Sequence, residues 1–387
     1  MRILMIPSFF QEKNRLTLGS FFLEQAIALQ KEGHQVTICY ADTYSVKYFR
    51  DFFHYEEKTQ TTIEGVRILR DRVFCPLKHG LKGHKDSFYR VIDKLVQKEC
   101  EKDSFDVIHA HCSMWAGYAA MKLSDKLQIP YVITEHSSGL KLDMDQLSEQ
   151  EREQVALTYK KAAKVICVSS SLRKLVLPFR SEIEVVGNVV NDSLFQLPNN
   201  RKTSEHFCFF SLCHMYQADD MIRSKGIDLL LQAWKQIEKE YPQATLTIGG
   251  DGDAYPLVVQ WIKELGLEGR VFLTGALSRE ETAAKMQECD CFVLPSRFET
   301  FGVVYIEAMA CGKPVIAVKG TGPDDIVTPE SGILLEKQDL QELIHAMRVM
   351  IRENAKYDRD VIRAHAVEHF GEKQIAAQLE KIYCSSR

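Results

Sequence analysis

Two glutamates, Glu299 and Glu307, sit around the apolar run of PSRFETFGVVYIEAMACGKPVIA, residues 295–317. Carboxylates so placed can form an acid/base pair, hold separate parts of one ligand, or face water. A strand-like run, Cys291–Leu294, comes before them and a helix-like run, Gly302–Ala310, follows, so Glu299 falls in a loop and Glu307 in the second helical turn. Their separation in sequence corresponds to about 12 Å of helix, more than the roughly 5–9.5 Å of a two-carboxylate hydrolytic dyad. Two separate contacts are therefore favoured over a dyad. A solvated Glu307 on an amphipathic helix is the competing reading. Backbone N–H groups around Phe301–Val303 make an anion site through geometry and the helix dipole. Gly302 lets a phosphate come close to the backbone. A phosphate flanked by carboxylates that accept hydroxyl hydrogen bonds is what a nucleotide-sugar requires.

The elements that must carry these residues alternate along the whole chain. In the first half, Arg2–Ile6, Gln35–Tyr40, Asp106–His109, Tyr131–Thr134 and Val165–Ser169 read as strands, and Ser20–Lys31 as a helix ended by Gly33. In the second half the strands are Phe207–Leu212, Thr245–Ile248, Val271–Leu273, Cys291–Leu294 and Pro314–Val318. Helices are expected at Ile227–Glu240, Tyr255–Leu265, Arg279–Glu288 and Gly302–Ala310. Strands alternating with helices imply βαβ units and parallel sheets covered on both faces. The segment 191–204 (NDSLFQLPNNRKTS) is polar, aperiodic and contains Pro198, and reads as a linker. The fold class expected is α/β, two Rossmann-like domains facing across a cleft at the carboxyl ends of their strands. No GxGxxG follows any strand; GGDGDAY (249–255) comes nearest, so dinucleotide chemistry is the weaker reading.

Composition narrows the class. A chain of 387 residues suits two domains, and 45% hydrophobic with 26% charged residues is ordinary for a soluble globular protein. Residues 1–195 carry 27 Lys/Arg against 25 Asp/Glu and the remainder 22 against 28, so neither half is basic enough for a nucleic-acid partner. The opening MRILMIPSFF is too short for a signal-peptide core, and no later run approaches a membrane span, which points to a cytoplasmic chain. Eleven cysteines show no CxxC pair and no metal spacing, and read as reduced core residues.

The stretch 295–317 resembles the E-x7-E signature of retaining glycosyltransferases of family 4 (glycosyl transferases group 1), which have the GT-B fold. KGIDLLLQAW (225–234), GGDG (249–252), GTGPDDIV (320–327) and GILL (332–335) follow that family's order. GSFFLEQAIALQKEGHQVTI, DVIHAH and IPYVITEHSSG in the first half are similar too. Residues 42–102 match nothing in it. The resemblance implies a first, acceptor-side domain over 1–190, a linker over 191–204 and a nucleotide-sugar domain over 205–371, with a last helix at about 372–387 packing back on the first. It implies that Glu307 binds the ribose, Glu299 the transferred sugar and Lys225 the diphosphate. Gly19 would let the backbone approach the diphosphate from the other domain, and His136 would sit beside the donor sugar. Phe301, Gly302 and Val303 line the donor site; His109 and His111 are read as packing or polar-tuning residues.

In one respect the chain departs from the family. The usual arginine before Lys-Gly is missing: His214 takes its place in SLCHMYQADDMIRSKG (211–226), and Arg223 could fold back to supply the charge. No metal is expected, Asp219-Asp220 and Asp324-Asp325 being poor DxD pairs, and no cofactor. The route implied is front-face attack by an acceptor hydroxyl through an oxocarbenium-like state, a β-phosphate oxygen taking the proton. The donor would be a nucleotide-sugar, UDP-linked, and the acceptor a glycan or lipid-linked hydroxyl in cell-surface polysaccharide synthesis. Residues 70–98 hold Arg70, Arg72, Lys78, Lys82, Lys85, Arg90, Lys94 and Lys98 against three aspartates. They read either as a solvated surface or as a docking face for anionic lipid at the inner face of the plasma membrane. Two rival classes share the cleft: a GT-B nucleotide-sugar epimerase and a non-catalytic nucleotide-sugar-binding subunit.

Overall fold

The structure, a computed structural model, describes residues 1–11, 18–44, 52–53, 59–75, 81–101, 103–137, 147–198, 206–216 and 221–387, and the backbone alone at 81–83. The chain divides into two units, Met1–Val189 with Glu372–Arg387, and Val190–Gly371.

The strands of the first unit are β1 (Arg2–Pro7), β2 (Gln35–Tyr44), β3 (Gln60–Ile63), β4 (Val66–Phe74), β5 (Val107–His111), β6 (Tyr131–Glu135), β7 (Lys164–Cys167) and β8 (Glu184–Val185). Its helices are α1 (Ser20–Lys31), α2 (Leu81–Cys100), α3 (Tyr118–Leu127), α4 (Glu149–Lys161) and α5 (Ser170–Val176). The sheet order is β3-β4-β2-β1-β5-β6-β7-β8. Every pair is parallel except β3 with β4. β5 and β6 are buried at every position, as expected of central strands covered on both faces. The β3–β4 hairpin turns on Glu64 and Gly65, both at positive φ, the geometry that matches strand twist in a two-residue loop. Neither β3 nor β4 is expected from the sequence.

The second unit holds β9 (Cys208–Leu212), β10 (Thr245–Gly249), β11 (Val271–Gly275), β12 (Cys291–Val293), β13 (Val315–Val318) and β14 (Gly332–Leu335). Its helices are α6 (Met221–Ser224), α7 (Ile227–Glu240), α8 (Tyr255–Leu265), α9 (Arg279–Glu288), α10 (Val303–Ala310), α11 (Leu340–Glu353) and α12 (Arg359–Phe370). The parallel sheet runs β11-β10-β9-β12-β13-β14. The last helix, α13 (Glu372–Cys384), belongs to the first unit, where Glu372 pairs with Lys31 at 2.7 Å and Ile375, Leu379 and Tyr383 are fully buried.

The segment read as a linker begins as folded structure. Phe195 is fully buried, and Arg363 donates to the Phe195 and Asp192 carbonyls at 2.6 and 3.0 Å. Burying a phenyl ring contributes about 1.5–3 kcal/mol, which outweighs the polar character that makes the segment read as free. Residues 199–204 lie outside the described residues.

Among the parallel strands, each sheet reverses its strand order once, between β1 and β5 in the first unit and between β9 and β12 in the second. In open α/β sheets, ligands bind outside the carboxyl ends of the strands at such a point. Lys225 follows β9 and Glu299 follows β12. His111 ends β5 and Gly19 lies beyond β1.

Candidate active site

In the second unit two loops are pressed together, backbone on backbone. Gly226 caps α7 at φ 74°, and a Cβ there would lie 2.3 Å from the Pro295 carbonyl, so only glycine fits. Arg297 N–H donates to the Ser224 carbonyl at 2.7 Å. This close approach brings Lys225 Nζ to Glu299 Oε1 at 2.7 Å, with side-chain exposures of 22% and 12%. Burial lowers the lysine's pKa, but the charge and hydrogen bond of Glu299 outweigh it, and the net shift is upward. Lys225 is therefore a cation, and one of its three N–H donors is engaged by Glu299. From the far side, Gly322 N–H donates to the Glu299 carbonyl at 2.9 Å.

Glu307 has a different cation. Arg279 Nη1 donates to Glu307 Oε1 at 2.6 Å, and the Arg279 guanidinium lies 4.9 Å over the Phe195 ring. A Ser278/Glu281 capping box starts α9 and fixes Arg279 in its first turn. The Glu307 side chain is 2% exposed, which rules out the solvated reading. Burial raises its pKa, opposed by Arg279. Its second oxygen, Oε2, is buried without a hydrogen-bond partner among the described residues. A buried acceptor left open is costly unless a ligand fills it. Gly302, at φ 103°, caps α10, and Tyr305 O–H donates to the Leu294 carbonyl at 2.7 Å, tying the helix to the loop after β12. Phe301 is buried against Phe370, and Val303 is half-buried.

The two residues expected to replace the family's arginine are both described, and the Arg223 carbonyl accepts from Gly226 N–H at 2.9 Å. His214 is exposed and stacks on Tyr216 at 5.6 Å between ring centroids. Arg223 is half exposed, with Nη1 3.4 Å from Asp228 Oδ2 and the guanidinium 5.2 Å over Trp261. Asp219-Asp220 lies outside the described residues, and both oxygens of Asp324 accept from Gly320 N–H, closing a turn.

In the first unit the candidates Gly19 and His136 meet through one pair of rings. Gly19 caps α1 at φ 66°, where a Cβ would come within 2.9 Å of Phe22. Phe21 and Phe22, in the first turn of α1, each sit 5.1 Å from the His136 ring. Directly before His136, Glu135 is fully buried and accepts four hydrogen bonds. The His136 and Ser137 N–H groups donate to Oε1; Ser113 N–H and Tyr159 O–H donate to Oε2. Ser113 follows Cys112, a non-glycine residue at φ 72°, and opens one wide turn closed from Gly117 N–H to the Cys112 carbonyl. Such strain and such turns cluster at functional sites.

The basic segment 70–98 is not one surface. Arg70 is buried and makes a two-point pair with Asp42, so it cannot meet a membrane, and Lys94 pairs with Asp71 at 3.2 Å. Lys85 lies over the Tyr118 ring, and Arg72 over Phe52. Lys78 and the Lys82 side chain lie outside the described residues, while Arg90, Lys94 and Lys98 are exposed on α2. Among the described residues no helix is long and apolar enough to cross a membrane.

Comparison with known proteins shows the family and the fold. A family model described as glycosyl transferases group 1 matches residues 216–366, and one described as glycosyltransferase family 4 matches 18–194. An uncharacterized glycosyltransferase of Methanocaldococcus jannaschii is 29% identical over 274 residues, 68% of this chain and 73% of that protein. Among solved structures, the fold is shared with sucrose-phosphate synthase from Thermosynechococcus elongatus. Its TM-score is 0.80 at 20% identity, covering 99% of this chain and 98% of that one. It is also shared with HepE from Anabaena in complex with UDP and glucose, with a TM-score of 0.72 at 21% identity over 100% of both chains.

Proposed function

The chain belongs to the group 1 glycosyl transferases with the GT-B fold, and from that premise we propose that it transfers a sugar from a UDP-sugar to a hydroxyl acceptor, with retention of the anomer. The observation that carries the reading is the pair of carboxylates after β12, each with its own cation, one of them keeping a buried acceptor open. Glu307 Oε2 takes a ribose hydroxyl while Arg279 holds Oε1. Lys225 keeps one N–H on Glu299 and turns its remaining donors to the diphosphate, stabilising the charge that develops on the leaving group together with the amino end of α10. Glu299 faces the sugar, where positive charge appears. The acceptor oxygen bonds to the anomeric carbon as the carbon–phosphate oxygen bond breaks, and the acceptor proton passes to a β-phosphate oxygen. On the family resemblance, Gly19 is assigned to the diphosphate and His136 to the donor sugar. The UDP preference is drawn from HepE, whose structures hold UDP and UDP-glucose.

The test is a thermal-shift panel of UDP- and GDP-sugars with the best donor carried into product analysis against glycan and lipid-linked acceptors. We expect a UDP-sugar to stabilise most, transfer to persist in EDTA because Lys225 supplies the cation, and the product anomer to match the donor's. An inverted anomer would refute retention. A sugar altered without acceptor would make the protein an epimerase.

On the acceptor side we propose a glycan or lipid-linked substrate of cell-surface polysaccharide synthesis, with Arg90, Lys94 and Lys98 as the part of the basic segment open to anionic lipid. Vesicle binding should fall as the Debye length shrinks from about 10 Å at 0.1 M salt to about 3 Å at 1 M. Changing the three to glutamate should abolish it while UDP binding stays normal. Equal binding to neutral vesicles would return this helix face to water.

A further inference from the structure

A carboxylate buried for structure alone has both its oxygens filled. Glu135 of the first unit shows the pattern: it is fully buried, and each oxygen accepts two hydrogen bonds. Glu307 is as deeply enclosed and differs. Arg279 holds its Oε1 at 2.6 Å, while Oε2 has no partner among the described residues. Arg279 is itself fixed, by the capping box at the start of α9 and by the buried Phe195 ring 4.9 Å beneath its guanidinium.

The elements packed on α10 are α9, α12 and β13, and among the described residues they bring no second cation to this carboxylate. On α12, Arg363 donates to the Ala310, Phe195 and Asp192 carbonyls, Arg359 lies 3.9 Å from Asp360, and His365 Nε2 meets the Ile326 carbonyl. β13 is apolar and buried throughout. The thiol after α9, Cys289, donates to the Met286 carbonyl, and burial pushes the Cys311 thiol, at the end of α10, up to about 12. On α10 itself, Tyr305 O–H is bound to the Leu294 carbonyl. Arg279 alone balances the charge of Glu307.

We propose that Arg279 is a positioning residue of the nucleotide site: by holding Oε1 it keeps Glu307 an ionised carboxylate and leaves Oε2 as a charged acceptor for a ligand hydroxyl. Burial pushes the Glu307 carboxyl upward and Arg279 opposes it, so without the guanidinium burial acts alone. The carboxyl then takes up a proton nearer neutrality, and its free oxygen becomes a weaker, uncharged acceptor. The ligand half of this rests on the reading of Glu307 as a ribose contact; the proton half does not.

That proton has two consequences of opposite sign, and the full chain can be tested for both. A group whose pKa is higher folded than unfolded, where glutamate lies at about 4.3, stabilises the fold at low pH and loses that effect as pH rises through the folded value. Denaturant melts of Arg279→Met should therefore show stability falling from about pH 5 to about 8, measured against Arg279→Met with Glu307→Gln. UDP-glucose affinity of Arg279→Met should rise over the same range, by up to about tenfold per pH unit for one linked proton. The unsubstituted chain should be much flatter in both, and the double variant flat. UDP-glucose is the probe because its diphosphate is esterified at both ends, whereas a terminal phosphate titrates near about pH 6.

Arg279→Gln keeps an N–H donor without the charge and should follow Arg279→Met; it also serves if Arg279→Met does not fold. Arg279→Lys restores a cation and should return both profiles towards those of the unsubstituted chain. Melts of the Met and Gln variants that run parallel to the double variant would mean that the arginine only packs, and overturn the proposal. A stability slope with no affinity slope overturns the ligand half alone and takes Glu307 away from the ribose. If the unsubstituted chain does not bind UDP-glucose, the donor reading fails and the proton half is judged by the melts.

Discussion

Lys225→Met is expected to lower kcat by about 10²–10³-fold, the loss seen when one fixed donor to a developing negative charge is removed. Two effects are mixed in that number, and the structure shows how to separate them. In the free protein Lys225 Nζ also neutralises Glu299 at 2.7 Å, and Glu299 is nearly buried. Methionine therefore leaves a carboxylate short of its cation, which destabilises the fold. The cost should fall below the roughly 3–5 kcal/mol of a fully enclosed pair, because the lysine is about a fifth exposed. Lys225→Met with Glu299→Gln removes both charges, so stability should return towards that of the unsubstituted chain. Turnover should not return. UDP affinity should drop about 10- to 150-fold in both variants, a charged hydrogen bond being worth about 1.5–3 kcal/mol. Denaturant melts, UDP titration and turnover on the unsubstituted chain and the two variants measure all of this. A folded Lys225→Met chain with normal UDP affinity and normal kcat would remove Lys225 from the diphosphate site.

What the sequence reveals here is local, and what it hides is long-range. The strands β1, β5, β6, β9 and β12 are apolar runs between helical stretches, and they stand close to where composition puts them. β4, VRILRDRVF, carries four charges in nine residues; it becomes a strand because β2 and β3 pair with it on both sides. Its Arg70 shows the same limit. Counted along the chain it adds to a basic surface, while in the fold it is neutralised by Asp42, 28 positions earlier. The loop residues Lys225 and Glu299 are recognisable by motif, but their pairing joins positions 74 apart. Arg279 carries no local mark at all. An arginine after a capping serine looks like any first-turn surface residue, and only the packing of α9 beside α10 turns it onto Glu307. The bond between His111 and His136 likewise joins neighbouring strands and is invisible to any local pattern.

Glu299→Gln and Glu307→Gln should fail in different ways, because the two carboxylates meet different parts of the ligand at different moments. Glu307 Oε2 is buried without a hydrogen-bond partner among the described residues, so in the proposed site a ribose hydroxyl would fill it in the ground state. Its loss should weaken UDP and UDP-sugar alike, by about 10- to 150-fold, with kcat changed much less. Glutamine keeps an oxygen for Arg279, so the fold should survive. Deoxy-UDP lacking the hydroxyl concerned supplies the control. If Glu307 holds that hydroxyl, removing both partners should cost no more than removing either, a failure of additivity that marks direct contact. Glu299 differs because its charge matters as positive charge grows on the sugar. Glu299→Gln should therefore lower kcat more than it raises KM. UDP has no sugar to present to Glu299, but it shares Lys225, whose donor is freed when the carboxylate's charge is lost. UDP should then bind Glu299→Gln as well as it binds the unsubstituted chain, or more tightly. Equal loss of UDP affinity in the two variants, or additive costs in the Glu307 and deoxy-UDP pair, would mean that the carboxylates do not divide the ligand between them.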